Sequence, residues 1–437
     1  MSLNNITVVD SVMGKGKSSA AIEYINEHEE LNFVVVTLTQ AECQRYAEGI
    51  EREVIVPHLD RSDHHDTLVE TFIEAIDQGK TVVTTHALLK RWDEASVCAL
   101  KGKDYVLILD EVLDVVQPFQ ITKQDYHNLV AGGTVSQALE ADTGLNKVVL
   151  EDAEYEGKHA QFIDQVRKGN VYRVKDDFCI WLTSPTKLTP FNEVYILTYN
   201  FEGSVMAAWL KLNGLDYSLQ SVTPDRQFGP YQPDTGVPFD HLITIVRDPG
   251  LNDIGKRASS LSKTWYEKSP RDRLERLRNA TRAFFRRYDA EDPQFNMWST
   301  YKDHRMKIQY SPFGFIRGKV SKNQMKHMTA EERAERDTFV SFNMKATNVY
   351  GHKACLAYLV NVYANPSLTR LFSECGLEFD EEQYALNELI QWIWRSRIRR
   401  GESVLVYIPS KRMRSLLDDW LSGAFPERQQ VQPREAA

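Results

Sequence analysis

Residues Ile6–Val12 form an apolar run that ends in Met13-Gly14-Lys15-Gly16-Lys17-Ser18-Ser19, and a helical stretch follows at once. This junction limits the possible folds more than any other feature. Glycines let the backbone turn its N–H groups inward without a Cβ clash, and a helix start adds further free N–H groups and partial positive charge. A polyphosphate is the ligand such a turn suits. Lys17 could reach its outer phosphates and the Ser18 hydroxyl could ligate Mg²⁺. Met13, Gly14, Lys15, Gly16, Lys17, Ser18 and Ser19 are therefore the candidate ATP-binding residues. The eight-residue phosphate-loop pattern asks for glycine where Ser11 stands, a small-for-small departure.

A second element has the spacing such a loop needs. Val106-Leu107-Ile108-Leu109 reads as a buried strand, with Asp110 and Glu111 emerging at its carboxyl end. In a parallel sheet, that end faces the phosphate loop. Asp110 is the candidate metal residue beside Ser18, and Glu111 the candidate base that orients and deprotonates an attacking water.

The rest of the first 200 residues fits one α/β layer pattern. Ile6–Val12, Phe33–Leu38, Thr81–Thr85, Tyr105–Asp110, Phe178–Thr183 and Val194–Thr198 read as strands. Ser18–Glu27, Gln40–Glu51 and His65–Gln78 read as helices between them. Strands that are apolar throughout and alternate with helices imply a parallel sheet covered on both faces. Gln220–Asp240 is rich in Pro, Gly, Asp and Gln and reads as a linker. A second α/β unit is expected beyond it, with strands at His241–Val246, Asn296–Thr300, Phe339–Phe342 and Val404–Ile408. The expected division is residues 1–220, residues 221–425 and a flexible tail 426–437. Residues 120–175 and a basic stretch at about 249–335 are read as insertions.

Asp110-Glu111-Val112-Leu113-Asp114 resembles the Asp-Glu-x-x-Asp/His box of superfamily 2 helicases, and further matches follow in order. Val36-Thr37-Leu38-Thr39 with Gln40-Ala41-Glu42, and Val83-Thr84-Thr85-His86-Ala87-Leu88-Leu89, resemble the strand-end motifs that hold a nucleic-acid backbone. Tyr195-Ile196-Leu197-Thr198-Tyr199 resembles the Ser/Leu-Ala-Thr segment. Phe339-Val340-Ser341-Phe342-Asn343 with Ala346-Thr347-Asn348 resembles the fifth motif. Gln391-Trp392-Ile393-Trp394-Arg395-Ser396-Arg397-Ile398-Arg399 resembles the sixth, with Trp394 replacing its glycine and the last arginine one residue late. The texture is similar to helicases encoded by bacteriophages.

The resemblance implies two tandem RecA-like parallel-sheet domains with a cleft between them, and ATP with Mg²⁺ as cofactors. On one continuous helix, Gln391, Arg395 and Arg399 would share a face. Their guanidinium groups could then meet a γ-phosphate, Arg395 being the first choice of finger and Arg399 the second. Thr37, Thr39, Thr84, Thr85, His86, Thr347 and Asn348 become the candidate nucleic-acid contacts, since hydroxyls and amides grip phosphate oxygens without reading bases. The aromatic-plus-Gln adenine motif of the DEAD-box RNA helicases is not seen before the phosphate loop. That favours DNA over RNA as partner, with other replication or recombination proteins as further partners.

Net charge −8 over 437 residues does not oppose this partner, because the charge is unevenly spread. Residues 251–345 carry 21 Lys and Arg against 12 Asp and Glu, residues 346–437 carry 11 of each, and residues 1–250 are left at −17. Arg271, Arg273, Arg276, Arg278, Arg282, Arg286 and Arg287, interleaved with Trp265, Phe284 and Phe285, read either as an electrostatic track for nucleic acid or as an amphipathic helix with an aromatic core side. No apolar run reaches the roughly 18 residues of a membrane span. The first strand starts too near Met1 for a leader, so the host cytoplasm is the expected location. The five cysteines are too far apart for a zinc or redox pair.

The leading expectation is thus a DNA helicase or translocase of superfamily 2 in phage replication or recombination. The alternatives are a viral DNA-packaging type ATPase, a motor that translocates or anneals without separating strands, and a nucleic-acid-binding protein whose ATPase fold no longer turns over.

Overall fold

A computed structural model describes residues 5–58, 67–119, 121–175, 178–318, 322–344 and 349–425. The chain divides into two compact units. The first runs to Pro233 and includes Ala364–Asp380; the second comprises Asp234–Tyr363 and the chain from Glu381 onward. The boundary thus falls 13 residues beyond the expected 220, and a segment late in the sequence belongs to the first unit.

The first unit opens with β1 (Ile6–Asp10), α1 (Lys17–Glu27), β2 (Asn32–Thr37), α2 (Gln40–Gly49), β3 (Val54–Ile55), α3 (Leu68–Asp77), β4 (Thr81–Thr85), α4 (His86–Arg91) and β5 (Tyr105–Asp110). An excursion follows, with β6 (Val116–Phe119), β7 (Val135–Leu139), β8 (Asn146–Leu150), β9 (Val171–Val174) and β10 (Phe178–Leu182). The chain then returns through β11 (Glu193–Thr198), β12 (Ser218–Val222) and β13 (Phe228–Pro230). The main sheet has the order β13-β12-β1-β11-β5-β2-β4-β3 and is parallel except for β13.

Period-two alternation explains why its strands are apolar throughout. Val8, Val34, Val36, Leu107, Leu109 and Ile196 enter one core, while Val9, Phe33, Val35, Ile108 and Leu197 enter the core on the opposite face. The helix Pro366–Glu374 adds Leu368, Leu371 and Phe372 to the first of these cores.

Residues 121–175 carry no strand of the main sheet. They lie within an antiparallel sheet of order β6-β10-β9-β8-β7 with its own core around Tyr126, Phe162, Val148 and Val171. Phe178–Leu182, expected in the main parallel sheet, pairs antiparallel in this one instead. The expected linker Gln220–Asp240 also differs: its first half completes β12 and forms the β12–β13 hairpin on the main sheet.

The second unit holds a parallel sheet of order β14-β17-β16-β15, from β14 (Ile243–Ile245), β15 (Asn296–Ser299), β16 (Cys355–Tyr358) and β17 (Val404–Tyr407). Phe339–Phe342, expected as a strand, contributes a single bridge to Trp298 and then turns. Cys355–Tyr358 takes the sheet position instead. The stretch 249–335 is not an insertion, since it contains β15 and the helix Arg271–Arg287, whose Leu274, Leu277, Phe284 and Phe285 build the core against Trp298 and Tyr407. The tail 426–437 lies outside the described residues.

Candidate active site

Every group singled out near the phosphate loop sits at the carboxyl end of the main sheet. After β1 the chain turns through Gly14 at φ +90° and Gly16 at φ +88°, both in the region that favours glycine. Gly16 is also the N-cap of α1, so no side chain caps the first turn of that helix. A helix start without a side-chain cap suits an anion at its first-turn amides. Lys17 is nearly buried, and its Nζ donates to the carbonyls of Ser11 and Val12 at the root of the loop.

Ser11 has a role that glycine could not fill. Its buried Oγ accepts from the Val222 N–H at 2.9 Å, tying the β12–β13 hairpin to the loop. Next to it, the buried Asp10 carboxylate accepts from the backbone N–H of Asn200 at 2.8 Å and of Phe201 at 3.0 Å. Asn200 lies in the left-handed region at φ +55°, directly after the segment Tyr195-Ile196-Leu197-Thr198-Tyr199. The strand before the phosphate loop and the turn after β11 are thus held by one carboxylate.

Across β11, β5 delivers its acidic pair. Ser18 Oγ donates to Asp110 Oδ2 at 2.8 Å. Burial pushes the Asp110 carboxyl above its ordinary value, against the opposing pull of Ser18, Tyr46 and Lys17. Glu111 adopts φ +90° with its N–H bonded to Leu197 O at 3.0 Å. A glutamate in that region is costly, and strain of this kind persists where the surrounding structure over-determines it.

Glu42, quoted above only within a strand-end motif, and two residues that motif reasoning missed, Arg45 and Tyr46, reach the same place from α2. Glu42, Arg45 and Tyr46 stand at i, i+3 and i+4, one helix face. Burial and then the Asp110 charge push the Glu42 carboxyl up. Arg45 Nη2 donates to Ser19 Oγ at 3.1 Å. The fully buried Tyr46 hydroxyl lies against Asp110 and Ser18, outside hydrogen-bonding geometry, and its ionisation is pushed well up by burial and then by Asp110. The available signal was topological: α2 follows β2, the neighbour of β5.

The hydroxyl of Ser18 and the carboxylate of Asp110 converge as a pair of hard oxygen donors with a third buried oxygen, Tyr46 Oη, beside them. That donor set fits Mg²⁺, which takes one or two protein oxygens and completes its shell with water and phosphate. Among the described residues no group of three or more His, Cys, Asp or Glu is placed to hold a metal by itself.

The strand-end candidates are brought together: Thr37 pairs with Thr85 and Val36 with Thr84 across β2 and β4. Thr37, Thr84 and His86 are buried, however, and the Thr37 hydroxyl is spent on Thr39 O and Cys43 Sγ. Thr39 and Thr85 are half-exposed, and each also caps the helix that follows it. Thr347 and Asn348 lie outside the described residues.

In the second unit the expected continuous helix is broken. It spans Glu381–Ile393, Ser396 is extended, and Arg397–Arg400 form a separate 3₁₀ turn. Gln391, Arg395 and Arg399 therefore do not share one helical face. Gln391 sits in the last helical turn and its Nε2 reaches Asn387 Oδ1 at 3.3 Å. Arg395 is buried with Nη1 3.4 Å from Phe342 O, while Arg399 is exposed. Trp394, in place of glycine, packs edge-on against Phe239 and Trp420.

The arginine helix is amphipathic, and its aromatic residues belong to the core. Phe284 and Phe285 are fully buried, and Trp265 packs edge-on against Tyr266. Arg271 and Arg278 pair with Glu275, Arg276 with Asp253, and Arg287 with Asp248. Arg282 lies 3.6 Å from the Tyr310 ring centroid. Phe284, Phe285 and Trp265, the aromatics read as interleaving these charges, thus pack toward the core.

A mostly parallel sheet with a Gly-Lys-Gly-Lys-Ser turn and an Asp-Glu strand end, followed by a second parallel-sheet unit, defines a two-unit α/β fold. Two solved structures share it, at identities that speak to fold alone. XPD_APO matches with TM-score 0.52 and 10% identity, covering 95% of this chain and 96% of that one; XPD_Helicase matches with TM-score 0.50 and 11% identity over 96% and 95%. Within that class, residues 238–421 match the family model of the YonV C-terminal Rossmann-like domain. The SPbeta prophage-derived uncharacterized protein YonV of Bacillus subtilis (strain 168) is 30% identical over 440 residues, spanning 96% of this chain and 99% of that protein. The chain belongs to the YonV family.

Proposed function

We propose that this protein is an ATP-dependent helicase or translocase that acts on nucleic acid, DNA in preference to RNA, in the host cytoplasm during phage replication or recombination. The observation that carries the reading is the convergence of Lys17, Ser18, Asp110 and Glu111 at the carboxyl end of one parallel sheet. Lys17 and the amides of α1 hold the triphosphate, and Ser18 and Asp110 hold Mg²⁺. When bound, that ion neutralises charge on the phosphate oxygens. Glu111 orients the attacking water and accepts its proton, while Asp10 links the loop's strand to the turn after β11. Thr39 and Thr85 offer hydroxyls to a nucleic-acid backbone. The prophage origin of the YonV relative supports a phage role, and the parallel-sheet second unit favours a motor over a packaging ATPase.

The test is steady-state ATP hydrolysis with single-stranded DNA, duplex DNA, RNA or no nucleic acid, at two salt concentrations. DNA should stimulate turnover, salt should weaken the stimulation, and Lys17→Ala and Glu111→Gln should abolish it. A rate that ignores every nucleic acid would remove the motor reading and leave a nucleotide-hydrolysing protein. Hydrolysis unaffected in Lys17→Ala would refute the site itself.

A further inference from the structure

The β12–β13 hairpin closes through Thr223-Pro224-Asp225-Arg226-Gln227. Thr223 N–H donates to Gln227 O at 2.9 Å and Arg226 N–H to Thr223 O at 3.0 Å. Gln227 N–H donates to Thr223 Oγ1 at 3.1 Å. Arg226 takes φ +61°, the left-handed position that ends a three-residue hairpin loop. Turn chemistry asks for glycine there, and this chain places an exposed arginine instead. Among the described residues no carboxylate pairs with it.

Its location gives the departure a meaning. The Cγ of Arg226 lies 4.0 Å from where a side chain on Gly16 would begin, so the arginine stem passes over the phosphate loop. The hairpin is fixed in that place by Ser11 Oγ, which accepts from Val222 N–H, and by Ser221 Oγ, which donates to Asp10 O. Two residues at the end of β1 thus hold the hairpin that carries Arg226.

Strand order then says which end of a nucleotide Arg226 meets. Asp110 ends β5 and Glu111 follows it, and β5 is reached from β1 by crossing β11. They mark the metal and γ-phosphate end. β12 flanks β1 on the opposite side. A triphosphate stretched over the loop with its γ-phosphate toward Asp110 therefore points its nucleoside toward the hairpin. Resting on the nucleotide-site reading above, we propose that Arg226 is a nucleoside-end clamp: its guanidinium plane lies against the base of the bound nucleotide, and Ser11 positions it by locking the hairpin. A planar cation stacks on any purine face, so this clamp holds the nucleotide without strong base selection.

Calorimetric titration of the full chain with ATPγS, ADP and inorganic tripolyphosphate tests the clamp, with Arg226→Gly, Arg226→Lys, Ser11→Ala and the Ser11→Ala/Arg226→Gly pair. Arg226→Gly should weaken ATPγS and ADP alike, by roughly tenfold, the size of one stacked guanidinium contact. Tripolyphosphate, which has no base, should bind unchanged. Arg226→Lys should lose nearly as much, because charge remains and the plane is gone. Ser11→Ala should weaken ADP in the wild-type background and add little to Arg226→Gly, as coupled residues do. The thermal midpoint of Arg226→Gly should be no lower than wild type, since glycine suits φ +61°. Loss of ATPγS binding with ADP unchanged would make Arg226 a γ-phosphate contact and overturn the clamp, as would weakened tripolyphosphate. Full affinity in Arg226→Gly, with Lys17→Ala still binding-deficient, would overturn the clamp alone. Absence of nucleotide binding by the wild type would overturn the site reading with it.

Discussion

Replacing Asp10 by alanine tests the link between the phosphate loop and the turn after β11. The carboxylate is 1% exposed and accepts two backbone N–H groups, from Asn200 and Phe201, at 2.8 and 3.0 Å. Alanine removes both acceptors and leaves the two donors buried among packed neighbours. Each unpaired donor costs about 1–3 kcal/mol, so a loss of about 3–4 kcal/mol is expected if partial relaxation recovers some of the sum. For a unit of about 250 residues, 1 kcal/mol moves the melting midpoint by about 2 °C, which places the variant about 6–8 °C below wild type. Asparagine keeps one acceptor and turns its amide against the other N–H, so it should lose about half as much. Circular-dichroism melts read the effect, and because the bonds are buried, their loss should be nearly the same at low and high salt. A midpoint for Asp10→Ala within about 1 °C of wild type would refute the account, because two unpaired buried donors cannot be that cheap.

The buried charge at Asp110 should work against the nucleotide-free fold. Its folded-state carboxyl is raised by burial, so its contribution is fully present below the unfolded value near 3.8 and is lost as pH rises through the raised folded value. Asp110→Asn should therefore raise the melting midpoint at neutral pH while ending Mg²⁺-dependent hydrolysis; a lower midpoint would contradict this. Between the two finger candidates, Arg399→Ala should leave the melting midpoint unchanged, since the side chain is exposed, whereas Arg395→Ala should lower it. Activity lost in Arg399→Ala at full stability would identify the finger, and equal midpoints for both variants would contradict the burial assigned to Arg395. In the arginine helix, Phe284→Ala should cost about 3–5 kcal/mol in urea unfolding, because the ring is fully buried and stacks on Tyr407. Arg273→Ala, at an exposed position, should stay within about 0.5 kcal/mol. Similar costs for the two would mean that the aromatic face is not core.

The sequence by itself determined the parts whose information is local. An apolar strand, two glycines and a helix start specify a strand–turn–helix junction within a dozen residues, and Leu107-Ile108-Leu109-Asp110-Glu111 specifies a buried strand with acid at its end. What depends on neighbours far along the chain was settled only by the tertiary structure. Phe178–Leu182 is as apolar as the parallel strands, yet it pairs with β6 and β9, because an apolar run says that a strand is buried and not beside which partner. The four-residue runs at 339–342 and 355–358 are both mostly apolar, and only sheet packing gave the second a full ladder and the first one bridge. Thr37 and Thr84 read as surface hydroxyls until the sheet covered them. The Arg395–Arg399 spacing suited one helix, but a helix ends where its packing ends, and here Trp394 turning toward Phe239 and Trp420 accompanies the break. Ser11 stands where the phosphate-loop pattern asks for glycine, and nothing local in the sequence links it to Arg226. They lie 215 positions apart, and only the pairing of β12 with β1 brings them to the same loop.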